Sequence, residues 1–216
     1  MSKKILITRP NHDDATKYLF CWSKLVIKAA VKNHFQVFDL GKKNAGRNKF
    51  INCLNKNNPK AVFLNGHGSE KIVSGYNNEI LVEAGENEKV LAGRITYARS
   101  CQAAKILGRQ SVKKGAVAFI GYLKDYLLVY SQSHRRQPLK DKLAGLFLSP
   151  SNSIVISLTA GKTVAEANQE SHRQMRKNLS LMLSSKASAE QREAAPYLWW
   201  NIKYQTIIGD SKGRVV

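Results

Sequence analysis

Two runs in this chain, Ala61-Val-Phe-Leu and Ala116-Val-Ala-Phe-Ile, are apolar at every position rather than at alternate ones. A strand with one wet face alternates, so unbroken runs of this length belong to strands covered on both faces. A mainly parallel sheet sandwiched between helix layers meets that condition. Lys4 to Thr8, Phe35 to Leu40 and Arg94 to Ala98 are β-branched or aromatic runs of similar length, and with Ala61 to Asn65 and Ala116 to Gly121 they predict five strands. Helical spacing separates them. Tyr18, Trp22, Leu25 or Val26 and Ala29 recur after Asp13 and Asp14, which suit a helix N-cap, and predict a helix over 15–33. Shorter helices are expected at Asn48 to Asn57 and from Gln102 to Lys114, the latter stopped by Gly115.

Beyond Gly121 the pattern turns helical. Pro138 to Leu148 and Ser153 to Ala160 read as two helices parted by Ser-Pro-Ser-Asn, and Thr163-Val-Ala-Glu is a capping box for a third reaching about Leu183. The aromatic and β-branched stretch from Trp199 to Ile208 predicts a closing strand. The expectation is one α/β domain over 1–210, with 211–216 as a frayed tail.

Charge narrows the function classes. Lys and Arg number 35 against 15 Asp and Glu, a formal net charge of +20. The excess is uneven: Glu70, Glu79, Glu83, Glu86 and Glu88 make the middle of the chain acidic while both flanks are basic. Nucleic acid is therefore a secondary partner class, because the basic pairs are scattered and no RNP-like motif or zinc spacing accompanies them. No apolar run approaches the roughly 18 residues that span a bilayer, which points to no membrane partner and a cytoplasmic protein. Cys21, Cys53 and Cys101 are odd in number without paired spacing, so neither a disulfide framework nor a cysteine zinc site is expected. Glu79 to Glu88 lacks the spacing of a calcium loop, and Gly161-Lys-Thr lacks the upstream glycine of a phosphate loop, so no cofactor or metal is implied.

The chemistry-bearing residues end two of the apolar strands. His67-Gly68 follows Ala61-Val-Phe-Leu-Asn-Gly, and Cys101 follows Arg94-Ile-Thr-Tyr-Ala-Arg-Ser. Ligands of open α/β sheets bind at the carboxyl ends of strands, so neighbouring strands would bring His67 and Cys101 to one crevice. A cysteine at the start of a helix beginning at Gln102 would be favoured as thiolate, with His67 as base. Gly68, lacking a Cβ, would let its N–H approach a substrate carbonyl, with the Cys101 N–H as second oxyanion donor. Histidines 12, 34, 134 and 172 sit among polar neighbours and read as surface residues, while Cys21 and Cys53 read as core.

A strand ending in His-Gly and a later one ending in Ser-Cys resemble the caspase-like cysteine peptidases (clan CD), the group of caspases, gingipains, metacaspases and CHAT-domain proteases. Gly115 to Asp125 is similar to the next core strand and substrate-pocket loop of that group. Gly161-Lys-Thr-Val-Ala-Glu-Ala is similar to a helix start of its CHAT and gingipain-like members, and Pro196 to Asp210 to their closing strand. The resemblance covers roughly residues 35–210 and implies a caspase-like three-layer sandwich and a cysteine endopeptidase. It implies Cys101 as nucleophile, His67 as general acid and base, and Gly68 as oxyanion donor. The chain is short for the group, and Leu123 and Lys124 stand where CHAT domains often carry a tryptophan. For a substrate with Arg or Lys before the scissile bond, Asp125 is the candidate carboxylate. Glu70, with the acidic segment it opens, is a second substrate-binding candidate through steering of a basic peptide. The alternative is a catalytically silent binding module on the same fold, associating with nucleic acid through its basic surface.

Overall fold

The unbroken apolar runs form the middle of a six-stranded sheet in a computed structural model that describes residues 3–215. In chain order the elements are β1 (Lys4–Arg9), α1 (Asp14–Lys32), β2 (Gln36–Gly41), α2 (Arg47–Asn57), β3 (Ala61–Asn65) and a small hairpin, β4 (Ile72–Ser74) with β5 (Ile80–Glu83). They continue with β6 (Ile95–Arg99), α3 (Leu107–Lys113), β7 (Ala118–Tyr122), α4 (Lys142–Thr159), α5 (Val164–Met182), α6 (Ala189–Tyr204) and β8 (Gln205–Gly209). The main sheet runs β2-β1-β3-β6-β7-β8, parallel except for β8, which pairs antiparallel with β7.

Period-two alternation sends the side chains of the inner strands to two dry faces. Ile5, Ile7, Phe63, Tyr97 and Ile120 join Val26 and Ala30 of α1, Ile154 and Leu158 of α4, and Ala167 of α5. Leu6, Val62, Leu64, Ala98 and Phe119 join Phe50 and Leu54 of α2, Leu107 of α3, and the hairpin's Val73 and Leu81. Each Ile, Leu, Val or Phe side chain so buried contributes about 1.5–3 kcal/mol, and the polar residues between strand ends are few, Thr8 and Thr96 among them. The expected three-layer α/β sandwich with a mainly parallel sheet is therefore the observed fold.

Four expectations are corrected. The helix expected from Gln102 begins only at Leu107. Gln102 is left-handed (φ 55°), and the N–H groups of Gln102 and Ala104 bond to the carbonyls of Lys124 and Tyr122, so residues 101–106 follow β7 in turns instead of winding. The two helices expected around Ser-Pro-Ser-Asn are one, α4, running straight through Pro150. Proline has no N–H for the carbonyl four residues back, at Leu146. Asn178 Nδ2 of α5 donates to that carbonyl at 2.8 Å instead.

The strand expected over 199–208 is a helix as far as Tyr204, with only 205–209 extended. A capping box at Ser188 and Gln191 starts α6, and packing of Ala194, Ala195 and Leu198 against Phe147 and Met175 outweighs the strand preference of the aromatic residues. The tail expected to fray is docked over 211–215. The carbonyls of Ser211 and Gly213 accept from the first N–H groups of α5, and Val215 is buried. Residue 216 lies outside the described residues.

Candidate active site

Strand register sets the site. In the β3–β6 pair Asn65 stands opposite Arg99, so His67 and Cys101, each two residues further on, leave the same sheet edge at the same level. Those strand ends are tied laterally. Asn65 Nδ2 donates to the Thr8 carbonyl of β1 (2.7 Å), and its Oδ1 accepts from Arg99 Nε (2.9 Å) and Nη2 (2.6 Å). His67 and Cys101 line one cavity of about 280 Å3, walled by Leu19, Leu127 and Leu128 with Arg99, Ser100 and Tyr126. Larger open grooves of about 460 and 540 Å3 lie elsewhere, beside Asp141 and beside Glu170, and neither is lined by a thiol.

Gly68 is where the two loops meet. A Cβ there would stand 2.1 Å from Ser100 Oγ and 2.6 Å from the Ile72 carbonyl, so only glycine fits. Its bridge to Val73 uses the N–H groups of Ser69 and Ser74, leaving the Gly68 N–H free of the ladder. Among the described residues, neither the Gly68 N–H nor the Cys101 N–H has an acceptor. The β4–β5 hairpin, which the runs Ile72-Val73 and Ile80-Leu81-Val82 about Gly75 and Asn77-Asn78 could have indicated, fixes the histidine loop: Ser74 N–H (2.9 Å) and Ser74 Oγ (3.2 Å) both donate to the His67 carbonyl.

His67 has a partner the sequence reading used only as a cap. Asp13 caps α1 through Oδ1, which accepts the Thr16 N–H at 2.7 Å, while its Oδ2 lies 2.6 Å from His67 Nε2. A carboxylate acceptor places the proton of neutral His67 on Nε2, leaving Nδ1 as the basic lone pair. Partial burial works to raise the Asp13 pKa, but the bonds from Thr16 and His67 outweigh it and hold the carboxyl below its ordinary value. No signal in the sequence joined positions 13 and 67.

Cys101 is partly buried, its Sγ 3.9 Å from the Tyr126 carbonyl. Burial pushes the thiol above its ordinary pKa, and the Asp125 carboxylate beside it adds to that. The helix-dipole help expected for a thiolate is absent, because α3 starts six residues later. Both effects favour the neutral thiol over the thiolate.

Asp125 stands next to the cavity residue Tyr126 without lining the cavity itself. Gln102 Nε2 donates to its Oδ1 at 2.8 Å, and Trp200 Nε1 donates to its carbonyl at 3.1 Å. Asn201 of α6 clamps the same loop, bonding both the N–H and the carbonyl of Leu127 at 2.9 and 2.7 Å. Glu70 does not reach it. Its carboxylate pairs with Lys105, and its carbonyl accepts from Ile106 and Leu107 N–H, so Glu70 anchors the segment behind Cys101. Two others of the acidic segment are likewise engaged, Glu79 accepting from the Arg47 N–H at the start of α2 and Glu88 buried against the Gly85 N–H, while Glu86 is exposed. His12, expected at the surface, keeps only 10% side-chain exposure beside Asp13. Cys21 and Cys53, expected in the core, are half-buried.

Arg99 was passed over by the sequence reading. It is 0% exposed and bonds only neutral acceptors, Asn65, Asn152 (3.0 Å) and Ser23 (2.9 Å), with Phe63 beneath the guanidinium at 5.0 Å. Among the described residues this buried cation has no acid partner, and it lines the same cavity.

No family model matches the chain, and no curated protein matches it in sequence. Solved structures do. The crystal structure of the Arg-specific cysteine proteinase gingipain R superposes with a TM-score of 0.63 at 10% identity, covering 98% of this chain and 47% of that one. A complex of the pro- and mature domains of RgpB from Porphyromonas gingivalis gives 0.58 at 10% identity, covering 98% and 48%. The chain thus has the caspase-like fold of gingipain and spans about half the length of those proteins. Among the described residues no helix is long and apolar enough to cross a membrane.

Proposed function

We propose that this chain is a cysteine endopeptidase in which Cys101 is the nucleophile and His67 the general base and acid. The observation that carries the reading is the shared cavity to which register-matched ends of β3 and β6 deliver both groups. His67 Nδ1 takes the thiol proton as Cys101 Sγ bonds to the scissile carbonyl carbon. The same proton then goes to the amine as the C–N bond breaks, leaving a thioester. Water, deprotonated by His67, hydrolyses the thioester and restores the thiol. The unspent N–H groups of Gly68 and Cys101 receive the oxyanion. Asp13 holds the His67 tautomer and stabilises the imidazolium that forms.

Asp125 supports cleavage after Arg or Lys. Its negative charge beside the sulfur favours the neutral thiol, so a substrate cation paired with it removes that bias as it binds. Only a basic residue would both bind and activate. Arg99 favours a second reading of specificity, since an unneutralised cation beneath the cavity disfavours a basic side chain inside it and favours an uncharged or acidic one.

Fluorogenic peptides ending in Arg, Lys, Asp, Asn or Leu distinguish these readings. The expected result is preference for Arg or Lys, with turnover falling about 10³-fold or more in Cys101→Ala and His67→Ala. Preference for Asp supports the Arg99 reading. Equal turnover of Arg, Asp and Asn peptides removes the role given to Asp125, and undiminished turnover in Cys101→Ala removes the thiol mechanism.

A further inference from the structure

His67 belongs to a second constellation besides the cavity it shares with Cys101. His12, Asp13 and His67 each present one ligand atom, and the three lie within 4.8 Å of one another. Asp13 Oδ2 is 2.6 Å from His67 Nε2 and 3.6 Å from His12 Nε2. Two ligands of a tetrahedral zinc ion, at bond lengths near 2.1 Å, stand about 3.4 Å apart. Opening the shorter pair and drawing the two imidazole nitrogens together from within 4.8 Å converts this cluster into three first ligands. His12 is held for the role: its ring packs edge-on against Tyr76 and His67, with centroids 5.6 and 5.9 Å away, and its Nε2 is 3.3 Å from Asn78 Oδ1, an oxygen available as a fourth donor. Asp13 and His67 keep 39% and 45% side-chain exposure, so the position opens to solvent.

We propose that His12, Asp13 and His67 form a binding site for Zn2+ or a similar borderline-soft divalent cation, and that filling it switches the active site off. Two imidazoles and one carboxylate are a donor set suited to zinc rather than to Mg2+ or Ca2+, which prefer oxygen alone. The switch follows from the tautomer. In the metal-free chain Nε2 carries the proton and Nδ1 the lone pair offered to Cys101. A metal at Nε2 needs that lone pair, so the proton moves to Nδ1 and His67 has nothing left with which to deprotonate the thiol. Inhibition thus needs no obstruction of the cavity. This consequence rests on the peptidase reading, whereas the site itself does not. The ligands come from positions 12, 13 and 67, a spacing no zinc sequence pattern contains, and the fold alone gathers them.

Calorimetric titration of ZnCl2 into Cys101→Ala protein tests the site without the sulfur as a competing ligand. One Zn2+ per chain is expected, with affinity reduced tenfold or more in His12→Ala and in His12→Gln, and with MgCl2 giving no heat of binding. Absence of zinc binding, or equal affinity in both His12 variants, overturns the proposal. In the wild-type chain, stoichiometric Zn2+ should abolish turnover of the preferred peptide and a chelator should restore it. The His12→Ala enzyme should turn over substrate in the same zinc. Zinc binding at His12 in a chain that cleaves no peptide sustains the site while removing the peptidase reading. Turnover indifferent to bound zinc overturns the switch.

Discussion

Asp13→Asn separates the two tasks given to one side chain. In the native chain Oδ1 caps α1 by accepting the Thr16 N–H, and Oδ2 accepts from His67 Nε2. Asparagine has a single oxygen, and asparagine and aspartate are equally good N-caps, so that oxygen stays with Thr16. The amide NH2 then faces His67 and requires an acceptor at Nε2, which moves the neutral-state proton to Nδ1 and removes the lone pair meant for Cys101. Loss of the carboxylate also removes stabilisation of the imidazolium. The analogous Asp→Asn change in a buried serine-protease triad lowers kcat about 10⁴-fold. Here Asp13 and His67 are roughly 40% exposed and partly screened, so a fall of about 10²- to 10³-fold in kcat is expected, about 3–4 kcal/mol in the barrier. Folding stability at pH 7 should change by less than about 0.5 kcal/mol, whereas Asp13→Ala, which loses the cap, should cost about 1 kcal/mol more. Steady-state kinetics with the preferred peptide and urea unfolding of the same preparations measure both. Turnover within about threefold of wild type in Asp13→Asn refutes the orienting role, and a rate loss matched by an equal stability loss reduces Asp13 to a cap.

Two further outcomes follow from the geometry. Because burial and Asp125 raise the Cys101 pKa, the rate of iodoacetamide alkylation in the resting protein should climb through pH 8 without levelling off, and a plateau below pH 7 would show a preformed thiolate and refute the resting thiol. Asn178→Ala should cost about 1–2 kcal/mol in urea unfolding by orphaning the Leu146 carbonyl, and less than about 0.5 kcal/mol in a Pro150→Ala background, where the helix supplies its own N–H; the same cost in both backgrounds would disprove the substitution of side chain for backbone.

The legible part of the molecule was the part governed by short-range periodicity. The five parallel strands, α1 with its Asp13 cap, and α5 with its capping box follow from patterns within one or two turns or a single strand. Cys101, His67 and Gly68 were readable because each ends an apolar strand or follows one that does, and sheet register does the rest. What escaped depends on partners distant in sequence. Pro150 reads as a break unless Asn178 is known to lie across the gap. Gln102 reads as a helix start unless the Lys124 carbonyl is known to draw its N–H sideways. Asp13 reads as a cap and Glu70 as a free acid unless His67 and Lys105 are known to stand against them. Arg99 looked like one more cation of a basic chain because nothing local shows that Asn65, Asn152 and Ser23 converge on it from three elements.

The cavity that Cys101 lines has Arg99 in its wall and Asp125 beside the thiol, two charges of opposite sign and opposite permanence. Arg99 is enclosed, held by neutral acceptors and out of reach of salt, so its field on the cavity is present in every state of the protein. Asp125 is exposed at the rim, so ions screen it and a ligand can neutralise it. Of the two, only the influence that keeps the thiol protonated can be removed by binding. On the proposed mechanism, a cation that covers Asp125 removes that bias, and His67, held by Asp13, takes the proton. On this arrangement the resting site is unreactive toward water-borne electrophiles and becomes nucleophilic only with substrate present, which makes Asp125→Asn the informative change. It should weaken binding of an Arg or Lys peptide while raising the alkylation rate of the empty enzyme at pH 7, two effects of opposite sign from one lost charge. A variant that loses both peptide turnover and thiol reactivity would mean that Asp125 serves the loop's structure and not its electrostatics.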